Sequence, residues 1–501
     1  KTMKHFSILS LLALAAIVSS CAKTATISLS YNDKDTSVFY IGRPLAGAPT
    51  ILTDTICLAG DTTFTQTIQV SDHQSYFIYN RAQDAYSRVN VVVAPNEKIA
   101  LNFVRDTVGK GHFLISEKST SYKGQKLYDG LMAAQDPYKY EWVRDYSASP
   151  ADTVGTKMYE NFTAQMTADL VPFQKLQKDG DIDQAFLDFV KQDITYYNVL
   201  AMAKVIRGKW WGTVRDSTAT IYPGYSELWQ LLTTQYPIDS RSISSQYAYP
   251  YGEIVALYGK YMADPTIKFD APKDESASMA WSVAAYQKAF PDPTLQEPML
   301  ANLIYGTAIN NKNHSMVVDT LIMTFNKNFE GSQYSKYFAR FLNESKDYQT
   351  KINRPFSDKT IFVEDTESLT TLTKVFEQFK GKPLFVDFWF TTCGSCREEM
   401  KHATATHKFL EDNGITALYI SIDRPQNEQN WKNAIKYENL EGYHVRADKA
   451  LHTDMYEKHG IMYYPTYMIV DAQGNIVDKA APMPSSGEKL YNTIREKLKL
   501  K

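Results

Sequence analysis

The sequence predicts a multidomain chain: a β-sandwich-like domain first, a helical domain in the middle and an α/β fold at the C-terminal end. Three observations carry this. Apolar and polar residues alternate from about Ala25 to Leu114, apolar residues recur at helical spacing between about Ser119 and Lys351, and thereafter short apolar runs alternate with helical stretches. A chain of 501 residues with 44% hydrophobic and 22% charged residues is ordinary globular material. Its formal net charge of -2 provides no field suited to nucleic acid or to a polybasic membrane patch, so no nucleic-acid partner is expected.

At the N-terminal end, Lys4 and His5 precede an apolar run from Phe6 to Val18. That run is too short to cross a bilayer but suits the apolar core of a signal peptide. Val18-Ser19-Ser20-Cys21 closes it and resembles the lipobox of bacterial lipoproteins. The resemblance implies that residues 1–20 are a lipoprotein signal peptide and that Cys21 is lipidated. With no second apolar run of about 18 residues in the sequence, the lipid is the expected membrane anchor. Residues 22–26 lack the acidic run associated with surface export in Bacteroidetes lipoproteins, which points to a periplasm-facing location in the bacterial cell envelope.

The β-sandwich-like domain is assigned to residues 21–118. Phe64, Ile68 and Val70 alternate with Thr65, Thr67 and Gln69, and Ile99, Leu101 and Phe103 alternate with Ala100 and Asn102. Turn signals at Ala59-Gly60-Asp61 and Ala94-Pro95-Asn96-Glu97 separate the strands. Cys57, between Ile56 and Leu58, is expected to be a buried, inert thiol. The layout resembles the β domain that Bacteroidetes lipoproteins place before a thioredoxin module, and no chemical constellation occurs in it.

Residues 119–350 form the expected helical domain, with Leu187, Val190, Ile194 and Tyr197 on one helical period. It is rich in aromatics: Trp210-Trp211, Tyr222, Tyr225, Trp229 and the run Tyr247-Ala-Tyr-Pro-Tyr251. Two readings stand beside each other, a client-docking groove or core and inter-helix filling. No internal repeat or low-complexity tract is present. A polar stretch, Lys351 to Lys359, is the candidate linker.

In residues 351–501 strands are expected at 384–389, 416–422, 466–470 and 475–479. Helices are expected at about 368–379, 396–413, around Trp431, at 451–459 and at 487–498, making an α/β fold on a mixed sheet. Cys393-Gly-Ser-Cys396 falls where the first of these strands turns into a helix. A helix start offers unpaired N–H groups and the positive end of a dipole, which favour a thiolate. Cys393 is thus the better-placed nucleophile and Cys396 the deeper partner. The same spacing is half of a zinc site; the only nearby histidines, His402 and His407, follow too closely on one helix to complete it, and no metal is expected. Histidines 402, 407, 444, 452 and 459 read as surface or packing residues.

Asp387-Phe388-Trp389 before Cys393 resembles the thioredoxin active-site strand, and the C-terminal part from about Asn353 is similar to the TlpA/ResA-like thiol-disulfide oxidoreductases of bacterial envelopes. Glu399 matches the family's Cys-x-x-Cys-x-x-Glu pattern. Ser421-Ile422-Asp423 with Trp431 matches its central strand and following helix, Tyr464-Pro465-Thr466 its cis-proline loop, and Asp471-Ala-Gln-Gly474-Asn its last hairpin turn. The resemblance implies a thioredoxin fold in which Cys393 attacks a client disulfide and Cys396 resolves the mixed disulfide. Asp387 would be the buried base and Glu399 a tuning acid, although a strand-end carboxylate bonded to backbone and a first-turn acid favoured by the helix dipole are the plainer readings of these two. Pro465, Tyr464 and Trp389 would meet the client. The cofactor set is none beyond the Cys393/Cys396 disulfide, and the partners are disulfide-bearing client proteins and a membrane-bound thiol electron donor. Thr392 and Ser395 depart from the family's Trp and Pro and bear on redox poise. The alternative function is a non-catalytic binding lipoprotein that uses the aromatic helical domain. A peroxiredoxin would want a proline ahead of its cysteine, which Phe388 to Cys393 lacks, and a copper chaperone wider cysteine spacing with a histidine.

Overall fold

The computed structural model describes residues 23–45, 48–82, 85–107, 109–133, 143, 155–215, 223–264, 266–310 and 315–500. Cys21, the apolar run before it and Tyr222 lie outside the described residues. Contacts divide the chain into two compact units, Lys1–Thr307 with Leu321–Lys336, and Ala308–Thr320 with Tyr337–Lys501.

In the first unit the strands are β1 (Thr24–Leu45), β2 (Ala48–Gln69), β3 (Gln74–Ala82), β4 (Ala85–Val93), β5 (Lys98–Arg105) and β6 (Gly111–Ile115). They form one hydrogen-bonded sheet in the order β4-β3-β1-β5-β6, with β2 also paired to β1. The strands of the sandwich-like domain are thus linked in one hydrogen-bonded sheet whose long strand β1 has three partners, β2 over most of its length and two others in turn. Thr26 to Tyr31 pair with β5, and Phe39 to Gly42 pair with β3. A register shift against β2 between Asp33 and Ser37 separates the two halves, and such irregularities let a strand bend. The inward residues of the alternating runs, among them Ile27, Leu29, Phe39, Ile99, Leu101 and Phe103, make one core.

Cys57 departs from expectation. It is exposed, while its neighbour Leu58 is buried. With a side-chain period of two, Cys57 must face out if Leu58 faces in.

The helices of this part are α1 (Tyr122–Met132), α2 (Gly155–Lys178), α3 (Gln184–Arg215), α4 (Pro223–Gln235), α5 (Ala248–Ala263), α6 (Glu275–Ala289), α7 (Pro293–Asn310), α8 (Met316–Asn328) and α9 (Ser335–Ile352). Every side chain of α3 from Tyr196 to Ala203 is buried, as in a helix running through a core rather than along its edge. The aromatics fill that core: Trp210, Tyr225, Trp229, Tyr249 and Tyr251 are all buried, and Trp229 Nε1 donates to the Gly259 carbonyl at 3.0 Å. Of these, Tyr249 also lines a cavity of about 420 Å³, together with His73 and Tyr334. Asp193 of α3 accepts hydrogen bonds from Tyr128 (2.6 Å) and Ser245 (2.7 Å), and burial pushes its carboxyl up to about 6.

The second unit holds β7 (Thr360–Phe362), α10 (Leu372–Glu377), β8 (Leu384–Trp389), α11 (Gly394–Met400), α12 (Ala403–Asp412), β9 (Thr416–Ser421), α13 (Glu428–Glu438), β10 (Gly442–Arg446), α14 (Lys449–Glu457), β11 (Thr466–Val470), β12 (Ile476–Asp478) and α15 (Glu488–Leu498). Its sheet runs β12-β11-β8-β9-β10-β7; β8, β9, β10 and β7 are parallel, and β11 and β12 antiparallel. The long helix expected after the cysteines is two helices, α11 and α12, and the short strands β7 and β10 are additions to the expected set. All of α9 but its first two residues belongs here: Tyr348 packs on Tyr437 at 5.1 Å, and Lys436 Nζ donates to the Ile352 carbonyl at 3.0 Å.

The central strand β8 is buried at all six positions. Leu384, Val386 and Phe388 enter one core with α10 and α14 residues such as Leu372, Val375, Leu451 and Met455. Phe385, Asp387 and Trp389 take the opposite face, where Trp389 packs with Cys393, Cys396 and Met400. The alternation thus puts Asp387 on the sheet face that carries the cysteines.

Candidate active site

Strand β8 ends at Trp389 and the chain reaches α11 through Phe390 to Cys393. Asp423, just past β9, fastens this passage. Its Oδ2 accepts from the Thr391 amide (2.8 Å), the Thr391 hydroxyl (2.8 Å) and the Ser421 hydroxyl (2.7 Å). The family motif marked Ser421-Ile422-Asp423 as a strand; that Asp423 grips the redox loop is a contact over 32 positions that no local pattern signals.

Cys393 is the N-cap of α11, with extended backbone, and its Sγ accepts from the Cys396 amide at 3.1 Å. The two sulfurs are bonded at 1.99 Å. Cys393 is 6% exposed and Cys396 1%, so the first cysteine is the more accessible, as its place at the helix start requires.

Opposite lies the Tyr464-Pro465 peptide bond, which is cis. Ser395 connects the two loops: its hydroxyl lies 3.4 Å from Cys393 Sγ and donates to the Tyr464 carbonyl at 3.2 Å. A proline at 395 could make neither contact. The Tyr464 ring stands edge-on to Phe390 at 5.5 Å. Trp389, expected among the client-binding residues, is 0% exposed and forms the floor under the disulfide instead. A strand buried on both faces offers no surface to a client.

Asp387 is buried, and its Oδ1 has no hydrogen-bond partner among the described residues. It is not the backbone-bonded strand-end carboxylate that is the plainer reading of the sequence. Burial, and then the charge of Glu399, pushes its carboxyl well above the usual carboxylate range. The sheet register sets it between Tyr467 of β11 and Tyr419 of β9, with His444 of β10 next in the row. Tyr419 is held by His407 Nε2 at 2.5 Å and stacks on His444 at 5.0 Å. Burial depresses His444 to about 3, so that imidazole is uncharged at neutral pH. Glu399 Oε2 accepts from the Ser485 amide at 2.8 Å, tying α11 to the turn before α15. On the outer side Arg397 donates to Glu438 at 2.6 Å. Among the described residues no group of three or more His, Cys, Asp or Glu side chains could hold a metal ion.

A mixed sheet whose central strand delivers a Cys-x-x-Cys disulfide to a helix start, opposite a cis-proline, defines a thioredoxin fold. Residues 381–476 match the Thioredoxin-like family, and this part of the chain is a TlpA/ResA-like thioredoxin-fold protein. The thiol-disulfide oxidoreductase ResA of Bacillus thuringiensis subsp. konkukian is 26% identical over 123 residues, 25% of this chain and 65% of that protein. The chain therefore spans about two thirds of the length of the curated relatives it matches. The thioredoxin domain of a thiol-disulfide oxidoreductase from Bacteroides vulgatus is 35% identical, over 24% of this chain and 81% of that one, with a TM-score of 0.22. A thiol:disulfide interchange protein from Bacteroides sp. is also 35% identical, over 24% and 74%, with a TM-score of 0.21. Among the described residues no helix is long and apolar enough to cross a membrane.

Proposed function

We propose that the protein is a thiol-disulfide oxidoreductase of the bacterial cell envelope that reduces or exchanges client disulfides through Cys393 and Cys396. The observation that carries this reading is the asymmetry of the pair. One sulfur caps a helix and is the more accessible; the other is buried on the sheet face that also holds the buried Asp387 carboxyl.

In the reduced state the Cys393 thiolate attacks one sulfur of the client disulfide, and the other client sulfur leaves as a thiolate that takes a proton from water. The Cys396 thiol gives its proton to Asp387, and the Cys396 thiolate attacks Cys393 Sγ, forming the intramolecular disulfide and expelling the second client thiolate. The carboxyl of Asp387 is then neutral, the form that its burial favours. The cis Tyr464-Pro465 loop holds the client backbone beside Cys393, and Glu399 tunes Asp387 through its charge. A membrane-bound thiol donor returns two electrons to the disulfide, and the Cys396 thiolate recovers its proton from Asp387. The lipidated Cys21 keeps the unit at the membrane.

Insulin reduction tests the reading. Wild-type protein is expected to reduce insulin with dithiothreitol as donor, and Cys393→Ser to be inactive. Cys396→Ser should accumulate a mixed disulfide on Cys393 that mass spectrometry identifies. Equal activity in Cys393→Ser would remove the reading in favour of a binding lipoprotein.

A further inference from the structure

Beside the redox loop the second unit has a groove of about 840 Å³. Resting on the thiol-disulfide reading above, we propose that it is the site for the client polypeptide, taking the extended segment that flanks the client's half-cystine, and that α9 is its specificity wall.

Its position is the first reason. One end is formed by Thr391, Thr392 and Gly394, the residues that bracket the nucleophile. The floor continues along α11 past Arg397 to Lys401, which follows its end, and to Thr404 at the start of α12. The far wall is not part of the sheet or of its covering helices: Arg340, Phe341 and Glu344 come from α9, with Ile309 from the end of α7 at the rim. α9 is held there by Tyr348 against Tyr437 and by Lys351 over the same ring at 4.7 Å. The residues that complete the groove thus come from the segment preceding β7.

Length argues for a polypeptide. From Gly394 to Thr404 the floor crosses the whole of α11 and the first turn of α12, at most about 15 Å at about 1.5 Å per helical residue. That matches four to five extended residues at about 3.3 Å each, which is longer than a small-molecule disulfide can reach from Cys393.

Charge decides what kind of polypeptide. Arg397 is paired with Glu438 (2.6 Å), Lys401 with Glu398 (2.6 Å) and Lys351 with Asp347 (2.8 Å). Arg340 lies over the Phe341 ring at 4.5 Å, and Glu344 adds a carboxylate on the same wall, so the lining carries both signs and selects neither strongly acidic nor strongly basic chains. What it offers is hydroxyl groups at Thr392 and Thr404 for main-chain polar atoms, and apolar contact at Ile309, which is 41% exposed; Phe341 beneath is buried and backs the wall. The partner it fits is a weakly charged, unfolded or extended segment with an apolar side chain a few residues from the half-cystine.

The test compares two substrates on the full chain: insulin, a polypeptide disulfide, and 5,5'-dithiobis(2-nitrobenzoate), a small one. Ile309→Asp and Glu344→Arg both alter exposed positions. Each is expected to lower the ratio of kcat/KM for insulin to kcat/KM for the small disulfide by about tenfold. A photocrosslinker at position 344 in Cys396→Ser should attach to the insulin chain trapped on Cys393. An unchanged ratio, or a trapped chain that never crosslinks from 344, overturns the groove while leaving the redox reading in place. Wild-type protein that reduces neither disulfide overturns both.

Discussion

Asp387→Asn should make the second unit more stable as pH rises while slowing the reaction, and the size of the first effect follows from burial. An unfolded aspartate ionises near 3.9. Asp387 ionises well above that, because it is buried without a partner for Oδ1 and Glu399 adds a like charge. Between the two values the folded chain holds one more proton than the unfolded chain. Its contribution is therefore fully present below about pH 4 and is lost as pH rises toward the folded value, at about 1.4 kcal/mol per pH unit. The amide of the variant carries no such proton. The stability of the variant minus that of wild type should rise above about pH 4 by about 1.4 kcal/mol per pH unit and level off where Asp387 ionises in the fold. Hydrogen exchange of the peptide covering Leu384–Trp389, followed by mass spectrometry in the oxidised protein and corrected for intrinsic rates, reads this difference strand by strand. The constant cost of placing an amide in the site cancels in the slope. Parallel curves for the two proteins would show that Asp387 is ionised in the fold and would end the argument that it stores the Cys396 proton.

Three other perturbations probe the same neighbourhood and the surface. Ser395→Ala removes the hydroxyl beside Cys393 Sγ. If the hydroxyl turns its one proton from the Tyr464 carbonyl to the Cys393 thiolate on reduction, a bond worth about 1.5 kcal/mol is lost in the variant and the reduction potential should fall by at most about 30 mV, as read by equilibration with glutathione; an unchanged potential would mean that the hydroxyl serves only Tyr464. Asp423→Ala strips the buried Thr391 amide and two hydroxyls of their acceptor, and should cost about 1–3 kcal/mol in denaturant unfolding together with a loss of insulin reductase activity. Cys57→Ser should change stability by less than about 0.5 kcal/mol, and Cys57 should react with a maleimide in the native oxidised protein, whereas protection of that thiol would contradict its outward place on β2.

What the sequence disclosed and what it withheld divide by contact range. β8 was legible to its end residues because a strand buried on both faces must be an unbroken apolar run, and Asp387 stands out in that run as its one charge. The cysteines and Pro465 were legible because their chemistry needs fixed spacing or a fixed residue type. Cys57 was misplaced for a related reason: Ile56-Cys57-Leu58 reads as apolar at every step, and only the pairing with β1 settles which neighbour turns inward. Trp389 shows the same gap, since an aromatic next to a reactive cysteine reads equally as a client contact or as a floor until the neighbouring strands are in place.

Ser395 shows why the site could be located from the chain while its tuning could not. In the sequence it is a missing proline, a loss of rigidity whose sign on the redox poise is undetermined. In the fold its hydroxyl meets the carbonyl of Tyr464, 69 positions away, and the sulfur of Cys393. The loss of rigidity at the helix start is therefore offset by a bond to the cis-proline loop, and that bond ends beside the nucleophile. Donation to a thiolate is stronger than donation to a disulfide sulfur, so the reduced state gains more from it. The hydroxyl has one proton, donated here to the Tyr464 carbonyl, so the sign follows if a Cys393 thiolate draws that proton over on reduction: compared with a residue lacking the hydroxyl, Ser395 would then make the pair a weaker reductant.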